Sequence, residues 1–169
     1  APYGAAERKA NFDAAMEVHG LFGEMSDLAE RITGMAERAA ARAAKLPEKD
    51  ALRMSLTAVA TKLGDARKKI VATKEGGAIT GEERIREHTD SLYSALLAWE
   101  GRPTRYQLDR IGALRKELAE VKAEVDQLTA REVAPLDATL KQRGLEPLTG
   151  KTASREEYGT ERLSAAELT

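Results

Sequence analysis

The stretch that decides the fold is residues 52–70, LRMSLTAVATKLGDARKKI. Apolar residues recur in it at alternating steps of four and three, and they are Leu52, Leu56, Val59, Leu63, Ala66 and Ile70. This spacing places the apolar residues on one side of an α-helix, where they can pack against a neighbouring helix. The stretch therefore predicts an amphipathic helix over about residues 48–73, between Pro47 and the turn at residues 75–77.

The same period predicts three more helices, over about residues 5–45, 81–100 and 105–143. The third and fourth begin at capping boxes, in which Glu83 follows Thr80 and Gln107 follows Thr104. The fourth helix is expected to be kinked at Pro135, because proline removes a backbone donor and clashes with the preceding turn.

Each of these helices carries its own apolar seam. The first seam comprises Phe12, Met16, His19, Phe22, Met25, Leu28, Ile32, Met35 and Ala39. The third comprises Ile85, His88, Leu92, Leu96 and Trp99. The fourth comprises Leu108, Ile111, Leu114, Leu118, Val121, Val125 and Leu128, and then Leu136 and Leu140. Three glycines of the first helix, Gly20, Gly23 and Gly34, are expected to allow a close backbone approach or a bend.

Short loops between long amphipathic helices favour antiparallel neighbours. The predicted fold is all-α, an elongated antiparallel up-down-up-down four-helix bundle formed by residues 1–148. Gly144 is its expected final stop, because glycine is the preferred residue after a helix C-terminus. Residues 149–169 form a polar C-terminal tail, either flexible or docked on the bundle through Tyr158, Leu163 and Leu168.

Composition argues against several function classes. The net charge is -1, and the nearest approach to a basic patch is Arg67-Lys68-Lys69, so nucleic-acid binding is not expected. Cysteine is absent, which excludes disulfides and thiolate metal sites. No apolar run has the ~18 residues of a membrane span. The start, Ala1-Pro2-Tyr3-Gly4, shows neither an initiator Met nor a signal peptide, and we expect a processed or excised piece.

Candidate chemistry is sparse. His19 and His88 both fall on apolar seams, and neither has a Glu three residues before it, so a di-iron site is not predicted. Each is expected to be a partly buried core histidine, and if both lie in one layer they form a pH-sensitive contact. No catalytic, cofactor-binding or metal-ligating residue is predicted. Trp99 is either a cap on the core or an anchor for a neighbouring domain.

The layout also resembles a known family, the helical C-terminal region of bacterial sortilin-like, BNR-repeat β-propeller proteins, which are often labelled glycosyl hydrolase or sialidase-like. The segments that carry the resemblance are FDAAM at 12–16, SDLAERI at 26–32, LY at 92–93, GRPTRYQ at 101–107 and LTAREVAPLDATLKQRGLEPL at 128–148. The resemblance covers roughly residues 5–148. The propeller and the strand segment that normally precedes the helices are missing, so no catalytic residue is carried over.

The resemblance implies a non-catalytic accessory or interaction domain at the C-terminal part of a larger exported protein. Its partner would be another protein or the remainder of that parent, and no cofactor is implied. The alternative is an independent coiled-coil adaptor or oligomerisation module, which would use an apolar stripe left uncovered by the bundle, such as Leu52, Leu56, Val59 and Leu63. The oligomeric state stays open at this point.

Overall fold

The structure is a computed structural model that describes residues 3–73 and 83–150, and these residues contain helices and no strands. The helices are α1 (Ala5–Ala44), α2 (Ala51–Ile70), α3 (Ile85–Leu97), α4 (Arg105–Leu128) and α5 (Ala134–Gln142). A π-helical turn, Thr129–Val133, joins α4 to α5, so that the two form one continuous fourth helix. The predicted all-α class, with four helices packed against one another, is confirmed.

The direction of α3 differs from the predicted up-down-up-down order. Asn11, near the start of α1, contacts Leu96 at the end of α3. Arg86, at the start of α3, and Arg67, near the end of α2, line one cavity with Met25 in the middle of α1. Both α2 and α3 therefore run antiparallel to α1, and α3 continues in the direction of α2. Since α1 has 40 residues and the others have 20 and 13, the two shorter helices end to end nearly match its length.

The fourth helix runs parallel to α1. Two ion pairs fix this register, one between Glu17 and Arg115 and one between Arg31 and Asp126, the latter at 2.6 Å. Exposed pairs of this kind contribute little stability, up to about 1 kcal/mol each, but they show which turns are neighbours. The bundle thus has three rods, namely α1, then α2 with α3, then α4 with α5.

The buried residues confirm the whole predicted seam of α2, whereas the predicted seams of the other helices need correction. All six predicted α2 residues are buried. In α1 the seam holds from Met25 to Ala39, and Phe22 is partly buried against the core. Before Phe22 the predicted seam is wrong, and the buried residues are Asn11, Ala14, Ala15, Val18 and Leu21. Phe12 and Met16 are 62% and 46% exposed, and His19 is also exposed.

This first part of α1 is apolar on two sides, so the helical period alone cannot choose between them. The small side chains of Ala14, Ala15 and Val18 face inward, and they let α3 approach closely enough for Asn11 to bond its C-terminus. Packing, not hydrophobicity, therefore decides which side is buried.

Corrections in the other helices are smaller. In α3 the buried Thr89 replaces His88 on the core side, and its hydroxyl donates to the carbonyl of Ile85 at 2.6 Å. In the fourth helix Leu108 is 48% exposed, while Val133 is buried although the seam omitted it. Leu128 and Leu136 are half-buried.

The observed helix limits follow from capping. Asp50 Oδ1 accepts from the Leu52 N–H at 2.9 Å, so α2 begins at Ala51, three residues later than predicted. The predicted capping box of α4 is confirmed, since the Gln107 N–H donates to Thr104 Oγ1 at 3.2 Å. Thr80 lies outside the described residues.

The α3 start is therefore not the predicted one. The Arg84 N–H donates to Glu87 Oε2 at 3.0 Å, and α3 begins at Ile85, so Glu83 precedes the helix. The helix also ends at Leu97, before the predicted residue 100. The first four N–H groups of an α-helix have no partner within the helix, and here a Glu in the first turn accepts from one of them.

At Pro135, where a kink was expected, the structure has a π-helical turn just before the proline. The helix does not break, because the five-residue π turn precedes the proline and the Ala134 N–H bonds to the Thr129 carbonyl. Gly144 is the predicted stop, with φ +70. The Leu145 N–H bonds to the Leu140 carbonyl at 2.9 Å, which completes the C-terminal cap.

A pH prediction arises at the α2 start. Arg143 donates to Asp50 Oδ2 at 2.7 Å, and this bond, with that from the Leu52 N–H, lowers the pKa of Asp50 below 3.8. The stabilisation is therefore present above that value and lost as the pH falls through the lowered pKa. Asp50→Asn keeps a good cap but loses the charge. We expect its Tm to be below wild type at pH 7, and the difference to shrink as the pH falls through the lowered pKa of Asp50.

Thermal melts followed by circular dichroism over this pH range measure the effect. The exposed Asp27→Asn, in the middle of α1, gives the baseline for loss of a surface carboxylate. A Tm difference between Asp50→Asn and wild type that stays the same as the pH is lowered would contradict the ion-pair explanation.

Candidate functional site

Exposed large apolar residues gather at one end of the bundle. Of the seven that the described residues contain, six lie where α1 begins, α3 ends and α4 begins, and only Met54 lies elsewhere. The six, which we call the apolar end, are Phe12, Met16, Leu97, Trp99, Tyr106 and Leu108. A concentration of exposed apolar residues at one end of the bundle makes that end a candidate interaction surface.

Asn11 holds the apolar end together from inside. Its Nδ2 donates to the carbonyl of Leu96 at 2.9 Å and to that of Trp99 at 2.7 Å. Both carbonyls lie at the C-terminal end of α3, where the Leu96 carbonyl also accepts from the Trp99 N–H at 3.2 Å. Asn11 is 8% exposed and is the single asparagine of the sequence. The sequence interpretation missed it, although a lone polar residue in step with Val18 and Met25 was a usable signal.

Trp99 is held in a fixed orientation at this end. Its indole Nε1 donates to the Arg102 carbonyl at 3.1 Å, and its ring lies 5.4 Å from that of Tyr3, centroid to centroid. Gly101 lies directly against the ring, and a Cβ there would come within 2.9 Å of Nε1. Of the two predicted roles, the exposed one fits better, because 42% of Trp99 remains open to solvent.

A groove of about 450 Å³ separates α3 from α4 beside Trp99. Its walls combine rings and polar groups, since Trp99 and Tyr106 line it together with His88, Gln107 and Arg110. Arg110 reaches Glu117 at 3.4 Å, and His88 Nδ1 lies 3.6 Å from Glu83 Oε2. The groove is therefore an extension of the apolar end with a partly cationic wall.

The two histidines do not lie where the sequence placed them. His19 is exposed, with its ring 6.2 Å from that of Tyr93, and Phe22 meets the same tyrosine edge-on at 5.8 Å. His88 lines the α3–α4 groove instead and is partly exposed. The prediction of partly buried histidines is wrong for His19, which is exposed, whereas His88 is partly buried but lines the groove and not the core. Each lies one position away from the buried side of its helix.

The described residues show no constellation suited to metal binding. Within 3–73 and 83–150 no three His, Asp or Glu side chains come close enough together to hold an ion. Neither do the helices of these segments offer an apolar stretch that could cross a bilayer. Apart from Thr149 and Gly150, the predicted polar tail lies outside the described residues.

Comparison with known proteins identifies no relative of this chain. No protein-family model, curated protein or solved structure matches the chain. The geometry of the apolar end therefore carries the functional argument.

Proposed function

We propose that the chain is a non-catalytic helical accessory domain that docks onto a protein partner through the apolar end. The observation that carries the proposal is the gathering of six exposed apolar side chains where three helix ends meet. Aromatic residues, tryptophan above all, are enriched among the residues that dominate binding energy. A fixed Trp99 would lose little side-chain freedom on binding, which favours an anchor role.

Charged pairs border the apolar end in the manner of an interface rim. Lys9 and Asp13 flank Phe12 and pair at 2.6 Å, while Arg105 and Asp109 flank Tyr106 and Leu108 and pair at 3.6 Å. Protein interfaces commonly have an apolar centre and a polar, solvent-accessible rim. These pairs would keep the end soluble when it is unoccupied and would orient an approaching partner.

The partner we propose is the remainder of a larger exported β-propeller protein, as the family resemblance implies. Tyr3 lies against Trp99 at the apolar end. A domain joined ahead of residue 1 would therefore enter the bundle beside this surface and could cover it without a long linker.

The alternative is an oligomerisation module in which a second copy covers the apolar end. The stripe that first motivated it cannot serve, because Leu52, Leu56, Val59 and Leu63 are all buried in the core. The apolar end is the surface left for self-association. A symmetric dimer would bury the same residues on both subunits.

Site-specific photocrosslinking in the source cell tests both ideas. A photoreactive phenylalanine analogue replaces Phe12 or Tyr106 in two variants and Met54 in the control. Met54 is as exposed as Phe12, at 62%, but lies far from the apolar end. We expect strong crosslinks from the first two positions and none from Met54, because only the apolar end contacts the partner.

The identity of the crosslinked product separates the outcomes. Crosslinks within one polypeptide several times larger than 18.4 kDa, to a propeller segment, support the parent-protein proposal. A product of two copies of the chain supports oligomerisation instead. Equal crosslinking at all three positions refutes the apolar end as a docking surface, and turnover of a glycoside by the purified chain refutes the non-catalytic assignment.

A further inference from the structure

The last described segment, residues 145–149, folds back over α1 at the end opposite to the apolar end, and we call it the strap. Three of its carbonyls accept from arginines one helical turn apart. Arg38 Nε donates to the Leu148 carbonyl at 2.6 Å, and Arg42 donates to the carbonyls of Glu146 at 2.6 Å and Pro147 at 3.2 Å. The strap lies in a groove between α1 and α5, and the α1 side of this groove binds three successive backbone oxygens.

The other side of the groove, on α5, recognises backbone N–H groups. Asp137 accepts from the Leu148 N–H at 2.5 Å, from the Thr149 N–H at 3.2 Å and from Thr149 Oγ1 at 2.5 Å. Leu148 between them is fully buried, with 0% exposure. The strap is therefore held as an extended peptide is held in a binding groove, by main-chain bonds on both sides and one apolar side chain in a pocket.

The α1 face leaves room for the arginine that holds the strap. A Cβ on Gly34 would lie 3.1 Å from Arg38 Nη1, so the glycine leaves the room that the guanidinium occupies. A cavity of about 410 Å³, lined by Leu46, Leu145 and Glu146 among others, underlies the near end of the strap. The strap is thus anchored at residues 146–149 and joins the bundle through Gly144, the one positive-φ residue of the described chain.

We infer that the groove between α1 and α5 is a binding site for an extended, leucine-anchored peptide, and that its occupant in trans is the strap of a second copy. All the contacts above use backbone atoms, Leu148 and Thr149, and each of these is present in any other copy of the strap. Exchange of an identical element between protomers is a low-cost route to association.

The cis strap excludes the trans strap only through its tether. A short linker holds a segment at an effective concentration of about 1 mM, above the level that a free peptide reaches in solution. Weakening the cis strap removes this competition and leaves the groove itself intact. The site is independent of the apolar end, and it would persist if the proposed function proved wrong.

Fluorescence anisotropy with a labelled peptide of residues 144–150, GLEPLTG, tests the inference. The full chain with Leu148→Ala is compared with the unaltered chain. We expect the peptide to bind the variant at least about tenfold more tightly, because the loss of a fully buried leucine side chain frees the groove. The milder variant Leu148→Val is expected to fall between the two, and it serves if the first does not fold.

Two controls distinguish a peptide site from a sticky surface. A peptide with alanine in place of its leucine at position 148, and a Leu148→Ala chain that also carries Arg38→Ala, should each reduce binding by about tenfold or more. Equal binding to the altered and unaltered chains, binding that survives both controls, or no binding to either strap variant would overturn the inference.

Discussion

The variant Asn11→Asp is expected to lose about 3 kcal/mol or more of unfolding free energy at pH 7. The substitution keeps the shape of the side chain but replaces the amide donor with an oxygen. Two bonds, to the carbonyls of Leu96 and Trp99, are lost, and a buried carboxylate then faces two acceptors. Urea denaturation followed by circular dichroism measures the loss.

The pH dependence gives this prediction a distinctive sign. A carboxylate at position 11 would be favoured in its protonated form by burial, so its pKa in the folded protein would lie above its unfolded value of about 3.9. The loss of unfolding free energy relative to wild type should therefore be largest at pH values above the raised folded-state pKa. It should shrink as the pH falls toward and below the unfolded value. The exposed Gln127→Glu makes the same chemical change and should cost little. An equal cost in both variants would contradict the buried-cap explanation.

The variant Leu21→Ala is expected to lose about 2 to 5 kcal/mol of unfolding free energy. Leu21 is 2% exposed and belongs to the side of α1 that the structure buries. Its truncation removes apolar contacts and leaves a cavity that a packed bundle fills only in part. Urea denaturation of variant and wild type gives the difference.

Phe12→Ala is the matched control, because the sequence pattern assigned Phe12 to the α1 seam and the structure leaves it 62% exposed. We expect a change within about 0.5 kcal/mol for this surface position. The two variants together decide which side of α1 faces the core. A large loss of unfolding free energy for Phe12→Ala with a small loss for Leu21→Ala would contradict the observed burial and support the seam predicted from the sequence.

Most of the helical architecture could be predicted because it follows from local chemistry. The α2 seam is entirely buried, the Thr104–Gln107 capping box begins α4, and Gly144 ends α5 in a left-handed conformation. Each depends on the spacing of apolar residues or on groups a few positions apart in the chain. The candidate site could not be predicted in this way, since the spacing of apolar residues indicated neither Asn11 nor the apolar end.

The sequence by itself determined that the chain forms amphipathic helices, and it located most of their ends. Only the tertiary structure decided which side of the first half of α1 is buried, that α3 runs on from α2, and that the strap lies on Arg38 and Arg42. The physical reason is that the spacing of apolar residues shows that one face of a helix is apolar, but it does not show which other element covers that face. That choice depends on which distant groups can meet, as the Asn11 amide meets the Leu96 and Trp99 carbonyls at the end of α3.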